Sequence, residues 1–327
     1  MIYLFTHTDL DGKACAVIGE LEADRRCSGI SVTYCDYDNV DTKIDAWMTS
    51  MLINPMMYSS DKGSVIYITD ISVSDEIAEK LDQFAKTTGM TLRLIDHHQT
   101  AMRLLKYEWA LIDPSPTVCG TSLFADYLGI CSEEADYALH DFIDNVCLYD
   151  TWRFDQTDPY CFPIVLNYLS YILEKDQFIT EMMIAIYNGF IIGLNLPDWL
   201  TDIAISHIAK DLDYTKERAD AAEPISFGKY KARVVFASRC FSQIGHQIVE
   251  QYDDADFAIV YDAETKTAHL RGGDGSPNLG EEIAKPMGGG GHPKAAAFQF
   301  KETTYAMTFR YNYLAEKALE FDPNEEE

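Results

Sequence analysis

Three short apolar runs, each β-like in composition and each ending on metal- or proton-competent side chains, constrain this chain more than any other feature. Ile2-Tyr3-Leu4-Phe5 leads into His7-Thr8-Asp9-Leu10-Asp11-Gly12, Ser64 to Thr69 ends at Asp70, and Thr91 to Ile95 ends at Asp96-His97-His98. Segments of helical period lie around them: Lys13 to Ala23, with Ala14, Val17, Ile18 and Leu21 on one face, Val40 to Met51, and Asp75 to Ala85 between a Ser74 cap and a Gly89 stop. Another β-like run covers Ile30 to Tyr34. Strands alternating with helices predict a mostly parallel sheet covered on both faces. In such a sheet ligands bind beyond the carboxyl ends of the strands, where these acids and histidines fall.

His7, Asp9 and Asp11 alternate, so an extended segment or a tight loop can bring them together. With Asp70, His97 and Asp150 they make six oxygen and nitrogen donors, a set that suits Mn²⁺, or Mg²⁺, Co²⁺ or Fe²⁺, better than sulfur-rich structural zinc. Six such groups around one small cation leave little room for water or substrate. Two cations about 3.5–4 Å apart can share a carboxylate and clamp phosphate oxygens, so two divalent metal ions, Mn²⁺ first, are expected. A single strand-end aspartate is more often a helix cap or turn acid, and Glu20, Asp36, Asp38 and Asp113 keep that plainer reading.

At 327 residues the chain is long enough for two cores. After helical segments at Thr117–Leu128, Glu133–Val146, Phe162–Gly189 with a break near Tyr171, and Trp199–Ala222, the texture changes at Glu223-Pro224. Ile225–Phe227, Lys231–Phe236, Phe257–Tyr261 and Thr267–Arg271 read as strands, Ile244–Gln251 and Leu279–Ala284 as helices, and Tyr305–Leu319 as a last helix before an acidic end. The expected fold is α/β: a mostly parallel sheet flanked by helices in residues 1–170, a helical connector in 171–222, and a smaller mixed-sheet α/β domain in 223–327.

A formal net charge of −27, from 53 acidic against 26 basic residues, argues against a surface that coats long duplex nucleic acid. It leaves room for a small anionic substrate, because bound cations invert the local field. No apolar run approaches a membrane span and no signal-peptide pattern is present, so a cytoplasmic protein with no membrane partner is expected. The eight cysteines include no Cys-x2-Cys pair, and ordinary reduced thiols are expected.

Gly288-Gly289-Gly290-Gly291-His292 allows two readings. Successive N–H groups can form an anion nest with His292 and Lys294 beside it, or the glycines can be a turn and tight packing point before Ala295–Phe298. No Gly-Lys-Ser/Thr follows, which excludes a Walker A loop. Trp152 and its aromatic neighbours can stack on a base or simply pack.

These segments together resemble the DHH phosphoesterase superfamily, and within it the bacterial nano-RNase B type oligoribonucleases. The matching motifs are His7-Thr8-Asp9-Leu10-Asp11-Gly12, Ile68-Thr69-Asp70, Asp96-His97-His98, Tyr149-Asp150-Thr151-Trp152 and Gly288 to Ala296, the last like the glycine-rich signature of the associated C-terminal domain. The resemblance implies one metal on His7, Asp9 and Asp70, and a second on Asp11, Asp70, His97 and Asp150, with Asp70 bridging. It implies Asp96 as the group orienting His97, and His98 facing the reacting phosphate as charge stabiliser or proton donor. In the C-terminal domain it implies Arg271, Gly289, Gly290, Gly291 and His292 as substrate contacts. Ala297, where many relatives have glycine, and Pro293 depart from the pattern.

The expected activity is hydrolysis of short single-stranded RNA to nucleoside 5′-monophosphates by a hydroxide activated between two metals. The nearest rival is hydrolysis of linear or cyclic dinucleotides or of 3′-phosphoadenosine 5′-phosphate. Pyrophosphatase or polyphosphatase chemistry, a RecJ-like single-strand DNA exonuclease and a non-catalytic nucleotide-binding module stand behind it. A metalloprotease finds no His-Glu-x-x-His segment.

Overall fold

The computed structural model describes residues 1–53, 63–130, 136–155, 157–189 and 193–300. The expected helix at 305–319, the acidic end, part of the turn at 61–63 and the start of the helix expected from Glu133 lie outside the described residues. The chain divides into two compact units, Met1–Ile208 and Ala209–Glu327.

The first unit is built on five parallel strands, β1 (Ile2–His7), β2 (Ile30–Cys35), β3 (Val65–Thr69), β4 (Thr91–Asp96) and β5 (Ala110–Ile112), in the order β2-β1-β3-β4-β5. Its period-two side chains separate into two cores. Ile2, Leu4, Val65, Tyr67 and Ile95 face α1 (Leu10–Arg25), α4 (Gly120–Leu128), α5 (Tyr137–Asp150), α6 (Phe162–Ile172) and α7 (Lys175–Asn188). Tyr3, Phe5, Ile66, Ile68, Leu92 and Leu94 face α2 (Val40–Ile53) and α3 (Asp75–Thr88). The predicted punctuation of α3 holds: Ser74 Oγ accepts from Ile77 N, and Gly89 turns left-handed at φ 73°. The break expected near Tyr171 separates α6 from α7.

Lys13, buried on α1, donates its ammonium to the Ser170 carbonyl near the end of α6, so α6 is tied to the sheet layer by a polar as well as an apolar contact. Leu200, Ala204 and Ile208 of α8 (Asp198–Asp220) belong to the same core. One expectation is corrected. Cys119 and Cys147 are joined as a disulfide rather than left as thiols, because the α4 N-cap faces the last turn of α5 with the Cα atoms 5.3 Å apart. Among the described cysteines the other five, Cys15, Cys27, Cys35, Cys161 and Cys240, are free.

The second unit has a mixed sheet of six strands: β6 (Glu223–Phe227), β7 (Tyr230–Ala237), β8 (Phe257–Asp262), β9 (Thr267–Arg271), β10 (Gly290–His292) and β11 (Ala295–Gln299). Their order is β10-β11-β9-β8-β7-β6; only β7 and β8 pair in parallel, across α9 (Phe241–Gln251). A parallel pair needs a crossover, and α9 packs Ile244 and Ile248 against Val260 as that crossover. No helix among the described residues is long and apolar enough to cross a membrane.

Candidate metal centre

The register of the first sheet brings the strand ends level. His7 lies beside Cys35, Thr6 beside Thr69, and Thr69 beside Ile95, so Asp70 and Asp96 follow at one edge. His7 closes β1, and Asp9 caps α1 by accepting from Gly12 N at 3.0 Å. Gly12 is required there, since a Cβ would run into the His7 carbonyl. Asp70 is held at φ 57°, a left-handed conformation that costs a non-glycine residue about 1 kcal/mol or more, while its N–H donates to Ile95 O.

Three overlapping groups of donor atoms result, each within 4.8 Å: His7, Asp9 and Asp70; Asp11, His97 and Asp150; and Asp70, His97 and His98. Asp70 and His97 each belong to two groups. His97 Nε2 stands 3.3 Å from Asp70 Oδ1, 3.6 Å from Asp150 Oδ2 and 3.7 Å from Asp11 Oδ2, without a hydrogen bond to any of the three. Buried Asp70 Oδ2 likewise has no hydrogen-bond partner, and His7 Nδ1 sits 2.8 Å from Asp9 Oδ2 without hydrogen-bond geometry. Buried donor atoms that converge without bonding one another fit a cation in the middle, not a closed protein network. The clusters are compatible with one or two divalent metal ions.

The electrostatics agree. Burial, then the charges of Asp11 and Asp9, pushes the Asp70 carboxyl well above the usual range, and the same causes push Asp150 up to about 8. Burial lowers His97, favouring the neutral imidazole a metal needs. For His98 burial opposes protonation, but the Asp96 hydrogen bond and the nearby acids outweigh it and raise the group.

All six expected donors, His7, Asp9, Asp11, Asp70, His97 and Asp150, meet at this edge, with Asp96 and His98 beside them. The role expected for Asp96 changes. Its Oδ1 accepts the N–H groups of His97 at 2.8 Å and His98 at 3.1 Å, and its imidazole partner is His98 Nδ1 at 2.8 Å, not the His97 ring. Asp96 Oδ1 thus gathers the backbone of both histidines and the ring of the second.

Sequence reasoning missed the support of Asp11. Both its oxygens accept backbone N–H groups at the start of α4: Oδ2 from Gly120 at 2.6 Å and Oδ1 from Thr121 at 2.8 Å. These are first-turn amides without a helical partner, the natural seat for a carboxylate. A Cβ on Gly120 would lie 2.7 Å from Asp70 Cβ and 3.0 Å from Asp11 Oδ2. Only a Gly-Thr pair at a helix start could have signalled this, and it lies 109 positions from Asp11. Asp36, read as a turn acid, serves as one: it accepts from Thr8 Oγ1 at 2.5 Å and pairs with Asn39. Trp152 packs with Phe154, which stacks on Tyr149.

In the second unit the glycine run is more engaged than an open nest. Gly288 and Gly289 donate their N–H groups to Lys285 O and Ala284 O, and Gly290–His292 pairs with Ala295–Ala297. A Cβ on Gly289 would collide with the Ala297 carbonyl, and on Gly291 it would meet Ala295 O at 2.5 Å. Gly290 has open space, and Gly290 and His292 are exposed. Arg271 at the end of β9 donates to Leu270 O and to Ser242 Oγ of α9.

The parallel sheet of the first unit and the mixed sheet of the second match the DHH/DHHA1 two-domain α/β architecture, and the His/Asp groups at the edge of the first sheet are compatible with one or two divalent metal ions. The chain is similar to the Oligoribonuclease NrnB of Bacillus subtilis (strain 168), 24% identical over 332 residues that span 99% of this chain and 77% of that protein. Its fold is shared by the crystal structure of exonuclease RecJ bound to manganese (10% identity, TM-score 0.56, covering 98% of this chain and 90% of the other). The structure of RecJ in complex with Mn²⁺ from Thermus thermophilus also matches (10% identity, TM-score 0.50, covering 98% and 52%). No family model matches the chain.

Proposed function

We propose that this protein is a divalent-metal-dependent phosphodiesterase that hydrolyses short single-stranded RNA, down to dinucleotides, to nucleoside 5′-monophosphates. The observation that carries the reading is the convergence of unpaired donors around Asp70 and His97 at the carboxyl edge of a parallel sheet. Similarity to an oligoribonuclease along nearly the whole chain supports the substrate class.

His7, Asp9 and Asp70 would hold one cation, and Asp11, Asp70, His97 and Asp150 a second. Bound there, divalent cations, with Mn²⁺ the first choice, supply Lewis acidity to the water and to the phosphoryl oxygens. The protein's own part is positional and electrostatic. Gly120 and Thr121 fix both oxygens of Asp11, so that carboxylate cannot swing to pair with His97. Asp96 holds His98 through Nδ1, which leaves Nε2 to face a phosphoryl or leaving oxygen as donor. In the second unit Arg271, with the Gly289–His292 segment, is the proposed grip on the nucleotide. The whole Gly288–His292 run is exposed; Gly289 and Gly291 leave no room for a side chain, whereas Gly290 has open space around it.

The test is the product time course on a five-nucleotide RNA and a labelled dinucleotide with Mn²⁺, beside 3′-phosphoadenosine 5′-phosphate and pyrophosphate, with Asp96→Ala and His98→Ala as controls. Stepwise release of 5′-monophosphates, lost in both variants, is expected. Intact oligonucleotides beside rapid turnover of a smaller phosphate compound would overturn the substrate assignment.

A further inference from the structure

The metal-site residues are acids and imidazoles, none of which offers a broad apolar surface to a substrate. Among the described residues, the ring of Tyr37 packs against both of the site's histidines, His7 and His98. Tyr37, in the loop between β2 and α2, places its ring centroid 5.4 Å from that of His7 and 6.1 Å from that of His98, edge-on at 87° to the latter. It touches both a proposed metal-holding residue and the proposed phosphate-facing one, yet 54% of it remains exposed.

The loop that carries it is fixed, not slack. Asp36 accepts from Thr8 Oγ1, its N–H donates to Asn39 Oδ1 at 3.0 Å, and its carbonyl accepts from Asn39 and Val40. Thr8 sits between His7 and Asp9, so the loop is pinned to the segment that supplies the first metal group. A large ring left half exposed on a rigid loop beside a reaction centre is a preformed contact surface, and such a face suits the planar base and ribose of a nucleoside. Trp152, an exposed aromatic two positions from the proposed ligand Asp150, has its ring packed with Phe154 and is 37% exposed.

Building on the phosphodiesterase reading, we propose that Tyr37 seats the nucleoside attached to the reacting phosphate and so makes the site selective for nucleotide esters over simple phosphate esters. The ring acts by its face, so phenylalanine serves equally and a branched aliphatic does not.

The experiment compares two esters with the same leaving group, thymidine 5′-(p-nitrophenyl) phosphate and methyl p-nitrophenyl phosphate, under Mn²⁺ with the full chain. The readout is the ratio of their kcat/KM values. Tyr37→Leu should lower this ratio roughly tenfold, mainly through KM for the nucleotide ester, as expected for the loss of one base-stacking contact. Tyr37→Phe and Trp152→Leu should leave it within about twofold. A Tyr37→Leu enzyme whose two activities fall in step, or do not change, overturns the proposal, since a ring that only braces His7 or His98 would not move the ratio. Loss of the ratio in Tyr37→Phe, or in Trp152→Leu in place of Tyr37→Leu, overturns it too. If the unmodified protein cleaves neither ester, the phosphodiesterase reading falls first and this one with it; that result is visible before any variant is compared.

Discussion

The perturbed acids of the second unit and two buried acids at the first unit's metal centre, Asp70 and Asp150, are treated in opposite ways. In the second unit each perturbed carboxyl is pulled down by a partner the protein provides: Asp254 by Arg233, Glu282 by the Tyr230 hydroxyl, Asp274 by Lys294, and Asp262 by Thr265 against the cost of burial. At the metal centre of the first unit, burial and the neighbouring acids push Asp70 and Asp150 up, while Asp9, against the cost of burial, is pulled down by His7 alone among the centre's side chains of opposite charge. A fold that satisfies its acids in one place and crowds them in another has left the second place for a cation from outside.

That contrast can be broken most strongly with pH. Asp70 and Asp150 have folded-state values above the unfolded value of about 3.9, so the metal-free folded protein holds protons that the unfolded chain releases. Their contribution is fully present below pH ~4 and is lost as the pH rises, for Asp150 through about 8. The metal-free protein should therefore lose several degrees of Tm between pH 5 and 8, and Mn²⁺ should restore more at pH 8 than at pH 5. Asp150→Asn should flatten the metal-free profile. The partnered acids of the second unit act the other way, adding stability above pH ~4. Calorimetry across that range decides; a metal-free Tm that climbs from pH 5 to 8 would show that the crowding is not real.

A second prediction sharpens the contrast inside the centre itself. Gly120→Ala puts a methyl 2.7 Å from Asp70 Cβ and disturbs the amides that hold Asp11, without removing any donor atom. Loss of such outer support costs roughly 10–100-fold in metal affinity. Titration with Mn²⁺ should show that loss while circular dichroism stays unchanged. Thr121→Ser, which keeps the N–H and the hydroxyl that donates to Asp11 O, should bind like the parent.

These two predictions also mark where the sequence was readable. The strand-end donors lie on three short segments, and a strand's direction fixes where its last residue sits, so the convergence of His7, Asp70 and His97 followed from alternation of strands and helices alone. Asp150 entered the donor set as one more oxygen ligand from a separate segment, and the resemblance gave it a place beside Asp11 and His97; the fold supplies it as the last residue of α5. The Asp11 cradle, the Tyr37 ring and the Cys119–Cys147 bond each depend on packing between elements far apart in sequence, and no local pattern encodes such pairings. Asp96 shows a subtler limit. That it would orient a histidine was readable; which of two adjacent histidines it meets depends on the backbone turn after β4.

The smallest effect tests the glycine run, where four identical residues in sequence have unequal surroundings. A side chain at Gly289 collides with the Ala297 carbonyl and with Phe298, both in the paired strand, and a clash with backbone cannot be relieved by a rotamer change. Gly290 has nothing within 4 Å of the added carbon. Gly289→Ala should thus destabilise the second unit by about 1–3 kcal/mol, whereas Gly290→Ala should stay within about 0.5 kcal/mol in denaturant unfolding. If the segment also grips the nucleotide through its exposed face, Gly290→Ala will raise KM for a dinucleotide although it costs almost no stability. Gly289→Ala, assayed well below its melting range, will affect KM less. Equal loss of stability in the two variants would mean that the strand pairing of Gly290–His292 is not what distinguishes these glycines, and the second unit's anion grip would then have to be sought in Arg271 alone.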